Sequence, residues 1–323
     1  MNALRRSLAN LVFGAGRKRE GPLRVFSFEQ HDIGVFAQLT AILLVAVYCD
    51  ERGYRPKFIV KNANLLGGDR SGNWLDDFFE QNKISAVDDA EILSAVRDKN
   101  YVTIKNRYDI NQIARGAPEA ELQNELGGIE TAARLFHRYL AIKPFVRAAA
   151  DRFVKDGFPK GGFISVHFRG TDKVGTEAGQ VDFDHMHRAI QKYDTCPSIF
   201  VATDCIDFAE SCRDRYGDRA IFYCYPKEGS HQEQQEDNYR KSLDALVDCL
   251  ILAKGKVLIK TPSALSAWSK LLSPDLPLVL VGVPFEAPHN EKSLVGAGYW
   301  PESRLHDPDK SAMRKNGVLE IRL

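Results

Sequence analysis

From residue 163 onward, short apolar runs alternate with stretches of helical spacing, and this alternation limits the fold more than any other feature of the chain. Runs rich in β-branched and aromatic residues at 163–168, 198–203, 220–224, 256–260 and 277–281 predict strands. The apolar spacing between them predicts helices over 183–193, 206–216, 239–253 and 263–272. Strands separated by helices form βαβ units, in which the strands lie parallel and helices cover both faces of the sheet. The first half carries a looser version. Strands are predicted at 23–28, 55–60 and 101–105, a long apolar helix runs from Val35 to Cys49 and stops before Gly53, and a short aromatic helix begins at Trp74. Residues 117–157 read as helical with breaks at Gly127-Gly128 and Pro144.

A chain of 323 residues is too long for one small core. The expected architecture is α/β, with two Rossmann-like domains facing across a cleft and joined near Gly157-Phe158-Pro159. The expected boundaries are a basic segment at 1–20, an N-terminal domain at 21–158 and a C-terminal domain at 159–323. A net charge of +1 excludes broad nucleic-acid binding, which needs a concentrated basic surface. The six cysteines show no CxxC pairing, and several fall inside apolar patterns, as reduced core residues of a cytoplasmic protein do. No apolar run reaches the length of a membrane-spanning helix. Leu4, Leu8, Leu11 and Val12 follow helical spacing among Arg5, Arg6, Arg17, Lys18 and Arg19. That segment reads first as a frayed basic arm, and second as a weak contact with the inner-membrane surface; it has no signal-peptide core.

The chemistry is concentrated just after the predicted strand 163–168. His167, Arg169, Asp172, Lys173 and Glu177 fall within eleven positions, with Gly170 and Gly175 between them. Ligands of open parallel sheets bind outside the carboxyl ends of the strands. Cations there can hold an anionic ligand, and a carboxylate beside them can act as a base. Asp204 ends the next strand on the same edge, where it is either a helix N-cap or part of the site. Asp248 interrupts the densest apolar stretch of its helix. It is either a polar gap in the helix face or a carboxylate able to accept from the ring N–H and amino group of guanine. Thr261-Pro262-Ser263 joins a strand to a helix, and such N-termini favour phosphate.

Other patterns carry little. Gly14-Ala-Gly16 has no preceding strand and no third glycine. His185 and His187 are two apart on a helix and do not face each other. Asp182-Phe-Asp184 sits where a helix needs a cap, and Asp307-Pro-Asp309 lies in a polar tail. No metal site is expected.

The segment His167-Phe-Arg169-Gly-Thr-Asp172-Lys173-Val-Gly-Thr-Glu177 resembles the first motif of the α-1,6-fucosyltransferases, the core-fucosylating and rhizobial nodulation enzymes. Ala202-Thr203-Asp204 resembles their second motif, and Val247-Asp248 through Thr261-Pro262-Ser263 their third. Gly34-Val-Phe-Ala-Gln38 is similar to their glycine–glutamine loop. The resemblance is strong over 160–270, thin over 30–60 and absent elsewhere. It implies a GT-B fold, GDP-fucose as donor substrate, a glycan acceptor on the side of the N-terminal domain, inversion at the anomeric carbon, and no cofactor or metal. It also implies that Arg169 holds the β-phosphate, His167 and Asp248 contact guanine, Ser263 meets the pyrophosphate, and Gly34 permits close backbone approach. Glu177 is then the base, assisted by Asp172 and Lys173, and Asp204 belongs to the donor site. The chain departs from the family at Gly170, where the core-fucosylating enzymes carry a second arginine, and it has no room for their coiled-coil and SH3-like additions. A different GDP-sugar donor, a nucleotide- or glycan-binding protein that has lost catalysis, and a structural Rossmann-like interaction protein are the alternatives. The loop 62–79, with Arg70, Trp74, Asp76 and Asp77, reads either as an acceptor cleft or as a capped surface helix.

Overall fold

The computed structural model describes residues 21–29, 33–62, 65, 72–81, 89–106, 109–110, 113, 129–170, 181–226, 238–282 and 318–321. In the first half, β1 (Leu23–Phe28) lies between β2 (Arg55–Val60) and β4 (Tyr101–Ile104), all parallel. The helix α1 (Val35–Arg52) starts at Gly34 and ends on Gly53, whose φ of 68° is the left-handed turn that glycine takes without strain. Beyond β2 come α2 (Trp74–Phe78), β3 (Phe79–Gln81) and α3 (Asp89–Arg97). After β4 follow α4 (Ile129–Tyr139), β5 (Leu140–Ile142) and α5 (Pro144–Gly157), the last with its proline in the first turn, where no N–H is needed.

The second half contains β6 (Phe163–Phe168), α6 (Phe183–Lys192), β7 (Ser198–Thr203), α7 (Ile206–Tyr216), β8 (Ala220–Ile221), α8 (Asn238–Leu252), β9 (Leu258–Lys260), α9 (Ala264–Leu272), β10 (Leu278–Val281) and β11 (Val318–Ile321). The strands form one sheet in the order β11-β10-β9-β6-β7-β8, with β11 alone antiparallel. The chain winds outward from β6 through β7 to β8, then returns to the other side of β6 as β9 and β10. The winding therefore reverses between β6 and β9. At such a switch point the loops part on opposite faces and leave a crevice at the carboxyl ends of the strands.

Most predicted elements appear within a residue or two, because their signals are local. The exceptions have tertiary causes. The predicted strand 220–224 shrinks to β8, since an edge strand pairs only with β7. The predicted helical run 117–157 is interrupted by β5, which pairs antiparallel with β3. Neither β11 nor α3 was foreseen.

One core cluster joins the two halves, and a second lies on the larger sheet alone. Trp268 of α9 donates its indole N–H to Thr40 Oγ1 of α1 at 3.0 Å and meets Phe136 of α4 edge-on at 5.4 Å. Trp74 of α2 is wholly buried and donates to Ser242 Oγ of α8 at 3.2 Å, while Phe78 packs on Tyr239 at 4.8 Å. Trp74 is thus a core residue and lines no acceptor cleft. Trp268→Ala is expected to destabilise the protein by roughly 3–5 kcal/mol, the usual cost of deleting a buried aromatic, with both halves loosened together in a urea titration. Loss of structure confined to the C-terminal half would contradict a shared core.

Candidate functional site

All six residues of β6 are buried, and the chain leaves the sheet at Arg169. Backbone and hydroxyl groups lace the strand ends together there. Arg169 N–H donates to Thr261 Oγ1 at 2.8 Å, and Thr261 N–H donates to the His167 carbonyl at 3.0 Å. Thr203 Oγ1 donates to the Phe168 carbonyl at 2.8 Å. The ends of β6, β7 and β9 are therefore a single rigid corner.

Asp204 holds this corner electrostatically. Its Oδ1 accepts from Gly170 N–H at 2.9 Å, and its Oδ2 forms an ion pair with Arg169 Nε at 3.0 Å. The N-cap of α7 is Cys205, with no side-chain cap bond, so Asp204 does not cap the helix. It aims the guanidinium, and the Arg169 side chain keeps 28% of its surface exposed beside an Asp204 side chain at 6%.

Gly170 has a packing reason. A Cβ there would lie 2.5 Å from a ring carbon of Phe168 and 2.9 Å from Cys205 Cβ. The Phe168 ring is stacked on Phe208 at 4.3 Å and cannot swing away cheaply. A second arginine at this position has no room.

His167 is buried, and its Nδ1 has no hydrogen-bond partner. Burial, then Lys260, then Arg169 push its pKa well below the usual histidine value, so the imidazole is neutral. Lys260 sits opposite His167 in the β6–β9 register and is completely buried. Its Nζ donates to the Ser263 carbonyl at 3.3 Å, and burial holds its pKa well below that of an exposed lysine. Lys260 went unnoticed in the sequence, although a charge ending the apolar run Leu258-Ile259 is a visible signal. Ser263 is the N-cap of α9, yet its side chain makes no cap bond, so the hydroxyl is not spent on its own helix.

Asp248 lies elsewhere on this edge. Burial first, then Asp244, pushes its carboxyl well above the usual range, and Oδ1 is sealed from solvent without a hydrogen bond. Its charge bears on Cys224 and Tyr223, just past β8, so it sits toward β8 rather than in the β6–β9 crevice. The geometry brings together His167, Arg169, Asp204 and Ser263, with Asp248 to one side. Gly34 begins α1 with a φ of −75° and nothing within 4 Å of a built Cβ, so the space above it is open. Four positions later Gln38 is fully buried with neither amide atom hydrogen-bonded.

Asp172, Lys173 and Glu177 lie outside the described residues, as do Gly14, Gly16, Arg70, Asp307, Asp309 and the segment 1–20. Asp182 caps α6 by accepting from Asp184 N–H at 2.9 Å. His187 is taken up by Tyr216 OH at 3.0 Å and Ser211 Oγ at 2.7 Å. Among the described residues no group of three His, Cys, Asp or Glu is placed to hold a metal ion, and no helix is long and apolar enough to cross a membrane.

The buried carboxyl has a consequence for stability. A folded-state pKa above the unfolded value means that the folded protein binds the extra proton, so stability falls as pH rises from about 4 to the raised value and stays reduced above it. Asp248→Asn removes that cost. It is expected to raise the melting temperature by about 2 °C or more near pH 8, with the gain vanishing near pH 4. A variant less stable than the wild type at pH 8 would show that the carboxylate is favourably partnered.

No protein-family profile matches this sequence, and no curated protein does. Solved structures do. NodZ α-1,6-fucosyltransferase soaked with GDP-fucose superposes with a TM-score of 0.51 at 15% identity, over 85% of this chain and 99% of that one. The selenomethionine form of fucosyltransferase NodZ from Bradyrhizobium gives 0.50 at 16% identity, over 85% and 99%. A mutant of Arabidopsis thaliana FUT1 in complex with GDP gives 0.50 at 12% identity, over 90% and 75%. At such identities the likeness is one of fold: the chain is an α/β protein with the GT-B architecture that these fucosyltransferases share.

Proposed function

We propose that the protein is an inverting fucosyltransferase that moves fucose from GDP-fucose to a hydroxyl of a glycan acceptor. One observation carries the reading: a guanidinium aimed by a buried carboxylate and an uncapped serine at a helix N-terminus sit at neighbouring strand ends on the switch point of a GT-B sheet. The solved structures with the same fold include complexes with GDP-fucose and with GDP, which supports a guanine nucleotide sugar as donor.

In this mechanism the acceptor hydroxyl oxygen attacks the anomeric carbon as Glu177 takes its proton, with Asp172 and Lys173 beside it. The bond from that carbon to the β-phosphate oxygen breaks, and its electron pair leaves with GDP. Arg169 and the α9 N-terminus at Ser263 stabilise the charge that develops on the departing diphosphate. A guanidinium offers two parallel bonds to phosphate oxygens, so the reaction is read as needing no metal. His167 and Asp248 are read as base contacts. For Asp248 this requires ionisation of a carboxyl whose pKa burial raises, and the guanine N–H groups supply the missing partners. The basic segment 1–20 is read as a peripheral arm of a cytoplasmic enzyme.

GDP is expected to raise the melting temperature more than UDP, since a tenfold preference amounts to about 1.4 kcal/mol at saturating ligand. Equal shifts would remove Asp248 as the guanine partner. Arg169→Ala should weaken GDP binding and turnover together. Glu177→Gln should leave GDP affinity intact while turnover in EDTA falls by roughly 10²–10⁴-fold, the usual worth of a general base. Near-normal turnover of that variant would place the base elsewhere. Turnover with another GDP-sugar and none with GDP-fucose would change the donor, and nucleotide binding without turnover on any acceptor would favour the binding-protein reading.

A further inference from the structure

Among the described residues the donor site as read so far has one cation, Arg169, and no room for a second at position 170. A second ends the neighbouring strand. Lys260 ends β9 at the switch point, opposite His167 in the ladder, with its ammonium buried and donating to the Ser263 carbonyl at 3.3 Å. That carbonyl also accepts from Ala267 N–H at 3.1 Å and from Ser266 Oγ at 3.3 Å, so the first turn of α9 is anchored to the lysine.

The N-terminus of a helix carries a partial positive charge and favours anions. Arg169, whose charge bears on the same His167, is paired with Asp204 at 3.0 Å. Lys260, Arg169 and the start of α9 thus meet at one corner, beside a buried imidazole nitrogen with no hydrogen-bond partner. An anion bound there favours the protonated form of the buried lysine.

We propose that Lys260 is a positioning residue for the donor's diphosphate: it supplies the second positive charge behind the β-phosphate and, through the Ser263 carbonyl, turns the N–H groups of α9 toward it. The inference rests on the donor reading above. Among the described residues, His167, Arg169 and Asp204 are charged or titratable groups of the same corner. Burial of Lys260 suits this role, because an approaching anion favours the protonated ammonium.

The test compares GDP, GMP and inorganic pyrophosphate on the wild-type protein and on Lys260→Met, which keeps the length of the side chain and removes its charge. Affinity for GDP and pyrophosphate is expected to fall about tenfold or more, with GMP affinity and melting temperature nearly unchanged. If the GDP-to-GMP affinity ratio stays at its wild-type value, or if all three ligands weaken together with a lower melting temperature, Lys260 only supports the fold and the proposal is overturned. Lys260→Gln repeats the measurement if the methionine variant does not fold. A wild-type protein that binds pyrophosphate but not GDP would sink the guanine reading alone, with pyrophosphate still deciding for or against Lys260. One that binds neither would overturn both.

Discussion

The reversal of winding between β6 and β9 is the constraint on which the rest of this molecule turns. Parallel strands joined by right-handed crossovers leave their loops on one edge, and only where the order reverses do neighbouring loops separate. The first of the two strands ends in His167, Phe168 and Arg169, and the second in Lys260, Thr261 and the Ser263 cap of α9. Among the described residues, both cations of the candidate donor site, Arg169 and Lys260, are therefore delivered by backbone topology. The hydrogen bonds from Arg169 to Thr261 and from Thr261 to His167 then fix the two strand ends against each other.

A site built this way gathers groups that are costly to bury. Lys260 is buried beside a helix N-terminus, His167 is held neutral with a nitrogen unsatisfied, and Asp248 carries a buried carboxyl oxygen without a partner. Each arrangement is costly by itself. Together they make sense if a ligand brings a diphosphate to the first and a base to the other two. Asp204 is the contrasting case: both of its oxygens are engaged within the protein, and its role is to aim Arg169.

The stability that offsets these costs comes from the core shared by the two halves. Two tryptophans reach across, Trp268 toward α1 and Trp74 toward α8, each burying its ring and satisfying its indole N–H. The first contact holds α1, which begins at Gly34, against the helix that carries Ser263, and the second holds α2 against the helix that carries Asp248. Packing and site geometry are linked through these rings.

The sequence by itself determined the local elements and the place of the chemistry. Strands at 23–28, 55–60, 163–168 and 198–203 and the helices that follow them were legible because periodicity and β-branched composition act within a few residues. The motif around Arg169 was legible because its charges follow directly on a buried strand. The tertiary structure alone decided the strand order, the pairing of β3 with β5 and the addition of β11, since each requires a partner distant in sequence. It also decided the fate of side chains whose local signals were equal on both sides. Asp204 had the position of a cap and became a clamp on Arg169, Trp74 looked like a surface aromatic and became core, and Lys260 passed as an ordinary strand end until β6 and the start of α9 closed over it. Burial and pairing are properties of the assembled neighbourhood, and no window of sequence contains the neighbours that set them.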